Sequence, residues 1–341
     1  MAASADHRLD LPLDRGPLNV PALLRQHGLR PDKSLGQNFL TDPAALARLI
    51  ATAEVEPADT VLEIGAGLGS LTVLLAERAR QVIAVELDPQ LIPPLHSVLA
   101  GRENVRIVQG DILELDIAAL LAGHPPGGWG GPFEGAVECD EEGGLRHAAG
   151  ASLTNSQATI SSPAKAGDYL IVANIPYYIT SALIRHLLAA QIRPRRMVLT
   201  VQREVADRIC AQPGKPRLRG VRGEMSLLAL SVQVYGQPEI AFTIPAGAFY
   251  PRPRVDSAAV SIDIFDQPLI PTDWLDTFFR LAKAGFGQKR KMLRNALAHG
   301  LGLQSEKALA LLNQAGIDPK RRAETLTLEE WKTLTGFFIK Q

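Results

Sequence analysis

The sequence of 341 residues has few of the features that mark secreted, membrane or metal-stapled proteins. It contains two cysteines, Cys139 and Cys210, and the 71 positions between them exclude a disulfide framework and a CxxC-type zinc or redox motif. No run of about 18 apolar residues predicts a membrane span, and the polar N-terminus lacks the apolar stretch of a secretory signal. These absences predict a cytoplasmic protein of roughly two domains, since domains average about 150 residues.

The sequence also lacks a net charge, because 36 Lys and Arg residues balance 36 Asp and Glu residues. The charges are nevertheless segregated along the chain. Residues 181–222 contain ten basic and two acidic residues, and residues 267–341 contain twelve basic and seven acidic residues. Because phosphates respond to the local field, these two segments favour a nucleic-acid partner. A solvated, arginine-rich surface is the alternative interpretation.

The hydrophobic pattern predicts an α/β fold with a Rossmann-like sheet. Short, β-branched apolar runs predict buried strands at residues 60–64, 81–85, 105–108, 169–173 and 197–201. Helices are predicted between them and ahead of them, at residues 21–27, 44–53, 70–79 and from Pro89 onward. This alternation is typical of a parallel sheet with both faces covered. Residues 258–264 alternate apolar and polar side chains, which predicts a closing edge strand.

The composition divides the chain into three parts. Residues 1–20 read as a flexible extension, residues 21–266 as the α/β domain and residues 267–341 as a small all-helical domain. Helices are predicted in the last part at residues 274–284, 289–298, 305–315 and 328–338. Residues 123–167 contain ten glycines and few large apolar side chains, so we expect a disordered insertion within the α/β domain.

A glycine-rich turn follows the first predicted strand. Gly65, Gly67 and Gly69 have the spacing GxGxG rather than the GxGxxG of dinucleotide-binding folds, and no P-loop lysine follows. Glu86 ends the second strand, where a carboxylate can accept hydrogen bonds from both hydroxyls of a ribose. Asp111 ends the third strand, where it can accept one from an adenine amino group. A structural glycine turn and ordinary Gly-Asp turn chemistry are the alternatives, but the combination favours S-adenosyl-L-methionine over NAD or ATP.

The sequence Asn174-Ile175-Pro176-Tyr177 follows another predicted strand and so lies at the same edge of the sheet. The exocyclic nitrogen of adenine is a poor nucleophile because its lone pair is delocalised into the ring. The Asn174 side-chain oxygen and the Ile175 carbonyl are candidates to accept hydrogen bonds from both N–H groups, which would free that lone pair. Pro176 would fix the turn and Tyr177 would stack on an extruded base. A proline turn beside a core tyrosine is the alternative.

Taken together, these motifs resemble the rRNA adenine N6,N6-dimethyltransferases. The resemblance rests on residues 33–40 (KSLGQNFL), the glycine turn, residues 174–177 (NIPY) and residues 249–257 (FYPRPRVDS). Residues 286–297 (FGQKRKMLRNAL) and 316–326 resemble the bacterial small-subunit rRNA dimethyladenosine transferases in particular. The resemblance covers residues 21–122 and 168–338 and draws its strength from the number and order of the motifs.

The resemblance implies an S-adenosyl-L-methionine-dependent enzyme that dimethylates two adjacent adenosines in a hairpin loop near the 3′ end of 16S rRNA. It implies cofactor-binding roles for Asn38, Leu40, Gly65, Gly67, Glu86, Asp111 and Asn174. It implies catalytic roles for Asn174, Ile175, Pro176, Tyr177 and Phe249. Among these, Phe249 would be a second aromatic wall opposite Tyr177, and its alternative role is an apolar plug before a proline-rich loop. The interruption at residues 123–167 and the residues Tyr178 and Thr180 depart from the family pattern.

The predicted RNA contacts are basic side chains of the two charged segments: Arg203, Arg208, Lys215, Arg217, Arg219, Arg222, Lys289, Arg290, Lys291 and Arg294. Phosphate contacts of this kind supply affinity and salt dependence rather than sequence recognition. We expect a monomer without a metal and without a membrane partner.

Three alternatives remain at this point. A 23S rRNA dimethyltransferase of the antibiotic-resistance type would use the same chemistry, although residues 286–297 and the C-terminal helices argue against it. A non-catalytic ribosome assembly factor is disfavoured by the intact residues 174–177 and by Glu86. A small-molecule methyltransferase is disfavoured by the basic segments and the helical domain.

Overall fold

The structure, a computed structural model, describes residues 18–123, 167–213, 224–288 and 290–340. The predicted extension at residues 1–20 and the predicted insertion at residues 123–167 therefore fall almost entirely outside the described residues. Strands occur at β1 (Phe39–Leu40), β2 (Thr60–Ile64), β3 (Gln81–Glu86), β4 (Val105–Gln109), β5 (Gly167–Asn174), β6 (Pro194–Gln202), β7 (Gly236–Ile244), β8 (Phe249–Tyr250) and β9 (Ser257–Ile264).

The helices precede, separate and follow these strands. They are α1 (Val20–Gln26), α2 (Pro43–Ala53), α3 (Ser70–Ala76), α4 (Ile92–Val98), α5 (Ile117–Leu121), α6 (Thr180–Ala189), α7 (Arg203–Ile209), α8 (Leu227–Gln233), α9 (Leu275–Phe286), α10 (Leu293–Leu301), α11 (Ser305–Gln314) and α12 (Leu328–Ile339). None of the helices in the described part of the chain combines the length and hydrophobicity needed to cross a bilayer.

The central sheet has the strand order β4-β3-β2-β5-β6-β9-β7. The pairs β2–β3, β2–β5, β3–β4 and β5–β6 are parallel, whereas β9 pairs antiparallel with both β6 and β7. The predicted α/β class and its parallel-dominated sheet are thus confirmed. The carboxyl ends of β2, β3, β4 and β5 meet at one edge, which is where ligands bind in open α/β sheets.

The prediction that residues 258–264 form an edge strand is wrong. The strand β9 lies between β6 and β7. All of its residues are buried except Ser261, which is partly exposed, and Asp263, which is exposed. The edge belongs to β7, which the sequence reading missed. Its residues alternate between buried and exposed positions, and it contains Pro238, which suits an edge because proline cannot donate to a sheet ladder.

Two helix boundaries also differ from the predictions, each for a tertiary reason. The helix predicted at residues 70–79 ends at Ala76, where the Asn104 side chain donates hydrogen bonds to the carbonyls of Ala76 and Ala79. The helix predicted at residues 289–298 begins at Leu293, whose backbone N–H donates to the carbonyl of Arg321. Partners this distant in sequence leave no trace in local periodicity.

Both faces of the sheet are covered by helices. On one face, Leu49 of α2 and Leu75 of α3 pack on Val61 and Val172 of the sheet. On the other face, α5, α6, α7 and α8 pack on the alternate residues of the same strands. This arrangement explains why the strand sequences are apolar at successive positions, as expected for strands that are buried on both sides.

The C-terminal helices form a second core around Trp331, which is fully buried. Gly285 leaves room for it, because a Cβ at this position would lie 2.5 Å from the indole ring. Helix α8 belongs to both cores, since Leu228 packs on the sheet and Leu230 packs among the C-terminal helices. The predicted division at residue 267 falls between β9 and α9.

Candidate active site

A cleft of about 760 Å³, including its open mouth, lies at the carboxyl edge of the sheet. It brings together nine of the sequence-predicted site residues, which come from four strand ends and from the segment before α2. They are Asn38, Gly65, Gly67, Glu86, Asp111, Asn174, Ile175, Pro176 and Tyr177. Its position at the carboxyl ends of the parallel strands is where open α/β sheets bind ligands.

The glycine turn after β2 forms one wall of this cleft. Gly67 has a φ of 59°, and a Cβ there would lie 3.1 Å from the ring of Phe39, so both its conformation and its surroundings favour glycine. Its backbone N–H donates a 2.7 Å hydrogen bond to Glu86 Oε2. The turn is therefore held against the end of β3 by the carboxylate that the sequence singled out.

Glu86 is 7% exposed, and both of its carboxylate oxygens accept backbone hydrogen bonds. Gly67 donates to Oε2, and Asp88 donates to Oε1 at 2.9 Å. Burial raises the pKa of Glu86, and these backbone donors partly offset that effect by favouring the charged form. Each oxygen retains acceptor capacity toward the cleft, because a carboxylate offers about four lone-pair sites.

The segment before α2 is tied to the same edge. The Gln37 side-chain amide donates to Asp88 Oδ2 at 2.6 Å, and the Asn38 side-chain amide donates to the carbonyl of Gly36 at 2.9 Å. On the next strand end, Asp111 Oδ1 accepts from the backbone N–H of Leu113 at 2.9 Å, which is the ordinary turn chemistry named as an alternative. Asp111 nevertheless lines the cleft, and among the residues that the structure describes its Oδ2 accepts no hydrogen bond.

Asn174 ends β5 in an orientation that its hydrogen bond fixes. Its Nδ2 donates to the backbone carbonyl of Asn38 at 2.9 Å, and within the described residues its Oδ1 receives no donor. The next residue, Ile175, continues the strand direction by donating to the carbonyl of Thr200. The amide oxygen of Asn174 is thus an available acceptor at the cleft.

Tyr177 is half-buried beside Asn174. Its hydroxyl shares a 2.6 Å hydrogen bond with the Ser257 hydroxyl at the start of β9. Burial raises the pKa of Tyr177, and the bond to Ser257 opposes this rise. One edge of the ring is therefore anchored, while the residue contributes to the cleft wall.

Two predicted site residues lie away from the main cleft. Phe249 is 4% exposed and packs with Leu40 and Leu46 in the core. This position corresponds to the alternative role of an apolar plug. The next residue, Tyr250, is the exposed aromatic side chain of this strand. Leu40 pairs with Phe249 between β1 and β8 and lines a smaller adjoining pocket of about 340 Å³.

The adjoining pocket contains a residue that the sequence reading missed. Glu63 of β2 is 1% exposed, and burial raises its pKa to about 8. Within the described part of the chain, its Oε2 has no hydrogen-bond partner, which is unusual for a buried polar atom. The available signal was a carboxylate inside an otherwise apolar strand (TVLEI), where a charge is costly unless something compensates it.

Apolar residues of the cleft were also missed. Leu87 and Tyr178 line the cleft and are 40% and 58% exposed, and apolar and aromatic side chains are the usual lining of ligand clefts. Their place immediately after Glu86 and Tyr177 was the signal, because the residues that follow functional strand ends line the same edge. Ile112 and Leu91 complete this apolar part of the wall.

The predicted RNA contacts are only partly within the described residues. Arg208, Arg290 and Lys291 are exposed, and Arg203 and Arg294 are partly so. Lys215, Arg217, Arg219, Arg222 and Lys289 lie outside the described residues. Two further arginines of the basic segment at residues 181–222 serve the fold instead: Arg195 pairs with Asp59, and Arg196 pairs with Glu54 and Asp263.

The chain resembles proteins that modify ribosomal RNA. The family model for ribosomal RNA adenine dimethylase matches residues 28–340. A Dehalococcoides mccartyi protein named ribosomal RNA small subunit methyltransferase A is 41% identical over 312 residues, which are 92% of this chain and 90% of that protein. A protein of the same name from Moorella thermoacetica is 40% identical over 314 residues, 92% of this chain and 94% of that protein.

Two solved structures share the fold over most of the chain. The 23S rRNA methyltransferase ErmE is 25% identical with a TM-score of 0.58, covering 89% of this chain and 100% of that one. A dimethyladenosine transferase from Plasmodium falciparum is 21% identical with a TM-score of 0.62, covering 89% of this chain and 98% of that one.

Proposed function

This chain belongs to the ribosomal RNA adenine dimethylase family, and from that premise we propose its reaction. It transfers methyl groups from S-adenosyl-L-methionine to N6 of two adjacent adenosines in a hairpin loop near the 3′ end of 16S rRNA. The product is N6,N6-dimethyladenosine, formed during small-subunit biogenesis. The single observation that carries the proposal is the orientation of Asn174, whose amide nitrogen is held by Asn38 and whose oxygen is left as an acceptor at the cleft.

This orientation suits the chemistry of an aromatic amine. When an acceptor binds an N–H of the adenine amino group, the lone pair of the amino nitrogen becomes less delocalised into the ring. The nitrogen is then more nucleophilic. The carbonyl of Ile175, next along the chain, is the proposed second acceptor, and Pro176 fixes its turn. The work is orientation and electrostatics with preorganised dipoles, and it requires no strong base.

The residues present fit S-adenosyl-L-methionine. Glu86 supplies acceptors for a ribose at the end of β3, Asp111 supplies one for an adenine amino group, and Gly67 keeps the opposite wall free of a side chain. Asn38 and Gly65 line the same cleft, and Leu40 lines the adjoining pocket. When bound, the cofactor supplies an electrophilic methyl group.

The unpartnered oxygen of Glu63 is a further observation in favour of a cationic ligand. S-adenosyl-L-methionine carries a sulfonium and an ammonium group, and a buried carboxyl that lacks a partner is stabilised by a neighbouring positive charge. With its pKa raised to about 8, Glu63 carries a proton in the free protein, and a positive charge nearby would favour its ionised form. The pocket that holds Glu63 shares Gly65, Gly67 and Asn174 with the main cleft.

Tyr177 is the proposed stacking surface for the extruded adenine, with its hydroxyl held by Ser257. Phe249 is proposed as the opposing wall, a role that requires its ring to leave the core position it occupies here. Two methylations at one site are consistent with this arrangement. N6-methyladenine still has one N–H, which it can donate to one of these two acceptors.

The proposed substrate is 16S rRNA within the small subunit or its precursor, bound in the cytoplasm by a monomer. We assign the phosphate contacts to the exposed basic residues named above. The shape of the RNA would select which adenosines are methylated. Sedimentation at assay concentration tests the monomer, with a dimer as the contradicting result.

A second candidate is methylation of 23S rRNA, favoured by the similarity to ErmE at 25% identity. The 41% identity to a small-subunit methyltransferase makes the first proposal stronger. A non-catalytic assembly factor is the third possibility, and it would share the fold without turnover.

One experiment separates these functions. The protein is incubated with labelled S-adenosyl-L-methionine and unmethylated small or large ribosomal subunits, and the modified adenosines are mapped by mass spectrometry. Dimethyladenosine in small-subunit RNA alone is the expected result. Label confined to the large subunit would establish the second candidate. Absence of label in both, with cofactor and RNA still bound, would contradict the proposed reaction and favour the assembly factor.

A further inference from the structure

A second cavity lies in the C-terminal helical domain, apart from the cleft at the sheet edge. It is a groove of about 670 Å³, including its open mouth, between α9 and α10. The residues that line it are Arg280, Lys283, Ala284, Gly287, Gln288, Ala296, His299 and Gly300. None of these is acidic, and the two cations and the amide all present hydrogen-bond donors.

The floor of the groove is set by a close helix crossing. A Cβ on Gly300 would lie 2.6 Å from the Cβ of Ala284, so α9 and α10 touch at this pair of small residues. Ala284 and Ala296 are buried beneath the groove. A bare floor of this kind allows a ligand to approach the backbone, while longer side chains form the rim.

The rim is cationic and not neutralised by the protein. Lys283 and Arg280 are exposed and form no ion pair with a residue in the described ranges. The Arg280 guanidinium lies 5.2 Å from the centre of the Phe338 ring, which positions the side chain through a cation–π contact without cancelling its charge. An anion in the groove would therefore meet two available positive charges.

We propose that this groove binds the phosphodiester backbone of the ribosomal RNA substrate, with Arg280 and Lys283 as phosphate contacts. His299 and Gln288 are additional donors on the rim. Arg290, Lys291 and Arg294 follow in the turn and first helical turn between the two walls, so an RNA strand that leaves the groove meets further cations. That the groove prefers an anion follows from its own side chains. That this anion is the RNA backbone rests on the proposed function.

The test compares the double variant Arg280→Ala/Lys283→Ala with the matched control Lys307→Ala/Lys332→Ala, which removes two cations of α11 and α12 outside the groove. Binding to unmethylated small subunits is measured from about 50 to 200 mM salt. Each lost phosphate contact reduces the magnitude of the slope of log K against log salt by about 0.7 for a single strand or about 0.9 for a duplex. The groove variant should therefore bind about four- to thirtyfold more weakly near 0.15 M salt, for one or two lost contacts.

A slope equal to that of the wild type, or a loss equal to that of the control variant, would overturn the proposal. Cofactor affinity, measured on the same preparations, identifies a misfolded variant. The charge-preserving Arg280→Lys/Lys283→Arg variant should keep most of the slope, which separates phosphate binding from a packing role. The readout is binding, so a wild-type protein that binds subunits but transfers no methyl group would contradict the proposed function and leave this test intact.

Discussion

The side-chain nitrogen of Asn174 donates a 2.9 Å hydrogen bond to the backbone carbonyl of Asn38, across 136 positions of the chain. This hydrogen bond connects the two sequence motifs at residues 33–40 and 174–177. Because an amide cannot donate through its oxygen, this bond decides which end of the Asn174 side chain is available at the cleft. The segment before α2 therefore does more than cover the cleft, since it orients the proposed acceptor.

Replacement of Asn174 by alanine should lower turnover about 100- to 1000-fold, the usual cost of removing one preorganised hydrogen-bond partner of the reacting group. RNA affinity should change little, because phosphate contacts elsewhere supply it. Single-turnover methylation of small subunits and equilibrium binding measure the two quantities separately.

Asn174→Asp is the informative companion to this variant. It keeps an acceptor but loses the donor to Asn38 and adds a negative charge, so turnover should remain well below that of the wild type. An equal loss of turnover and RNA affinity in both variants would mean that Asn174 acts through folding.

Glu86→Ala should weaken cofactor binding by about 1–3 kcal/mol, the scale of hydrogen bonds to a charged group. The loss has two sources, the acceptors for the ribose and the anchor for the glycine turn at Gly67. Calorimetry with S-adenosyl-L-methionine measures it, with the exposed Glu103→Ala as control. Unchanged affinity would remove Glu86 from the site.

Variants of Tyr177 separate its ring from its hydroxyl. Tyr177→Phe keeps the stacking surface and loses the bond to Ser257, so stability should fall by about 0.5–1.5 kcal/mol while methylation is largely retained. Tyr177→Ala also loses base stacking, worth about 1–3 kcal/mol, and should raise KM or lower kcat accordingly. Ser257→Ala should reproduce the Phe variant, and a Phe variant as inactive as the Ala variant would assign the role to the hydroxyl.

The strands and the position of the cleft follow from local sequence. Buried parallel strands are short, apolar and β-branched, so the run at β2 is visible without any tertiary information, and Glu86 and Asp111 mark the ends of the next two. The topology of a parallel sheet then places those ends at one edge. The glycine turn is visible because Gly65 and Gly67 adopt a positive φ that few other residues tolerate.

What the sequence could not supply depends on contacts between distant segments. The burial of Phe249 follows from its pairing with Leu40 across β1 and β8, and no local pattern distinguishes a buried aromatic ring from one that faces a ligand. The edge strand β7 could not be predicted for the same reason. The local alternation at β9 suggested an edge strand with one exposed face, but β7 pairs with β9 and helices cover it.

Glu63→Gln should change how stability depends on pH. The pKa of Glu63 is about 8 in the folded protein against 4.5 for the free side chain, because burial disfavours the charged form. Between these values the folded chain retains a proton that the unfolded chain has released, so the free energy of unfolding must fall as the pH rises. The decrease from this group is about 1.4 kcal/mol per pH unit, and it ends above the folded pKa.

Glutamine is neutral at every pH and has nearly the same shape, so the variant lacks this decrease. Urea unfolding between about pH 5 and pH 8 measures the free energy of unfolding of both proteins. The difference between variant and wild type should grow in favour of the variant by about 1.4 kcal/mol per pH unit, to a few kcal/mol in all. Burial also raises the pKa of Glu86, and the charge of Glu86 is one cause of the raised pKa of Glu63, so the difference between the two proteins reports this coupled pair. The control Glu103→Gln changes an exposed residue, and its free energy of unfolding should depend on pH as that of the wild type does. Parallel curves for Glu63→Gln would mean that Glu63 is already ionised in the folded protein, which would require a cationic partner for its unpaired oxygen even without the cofactor.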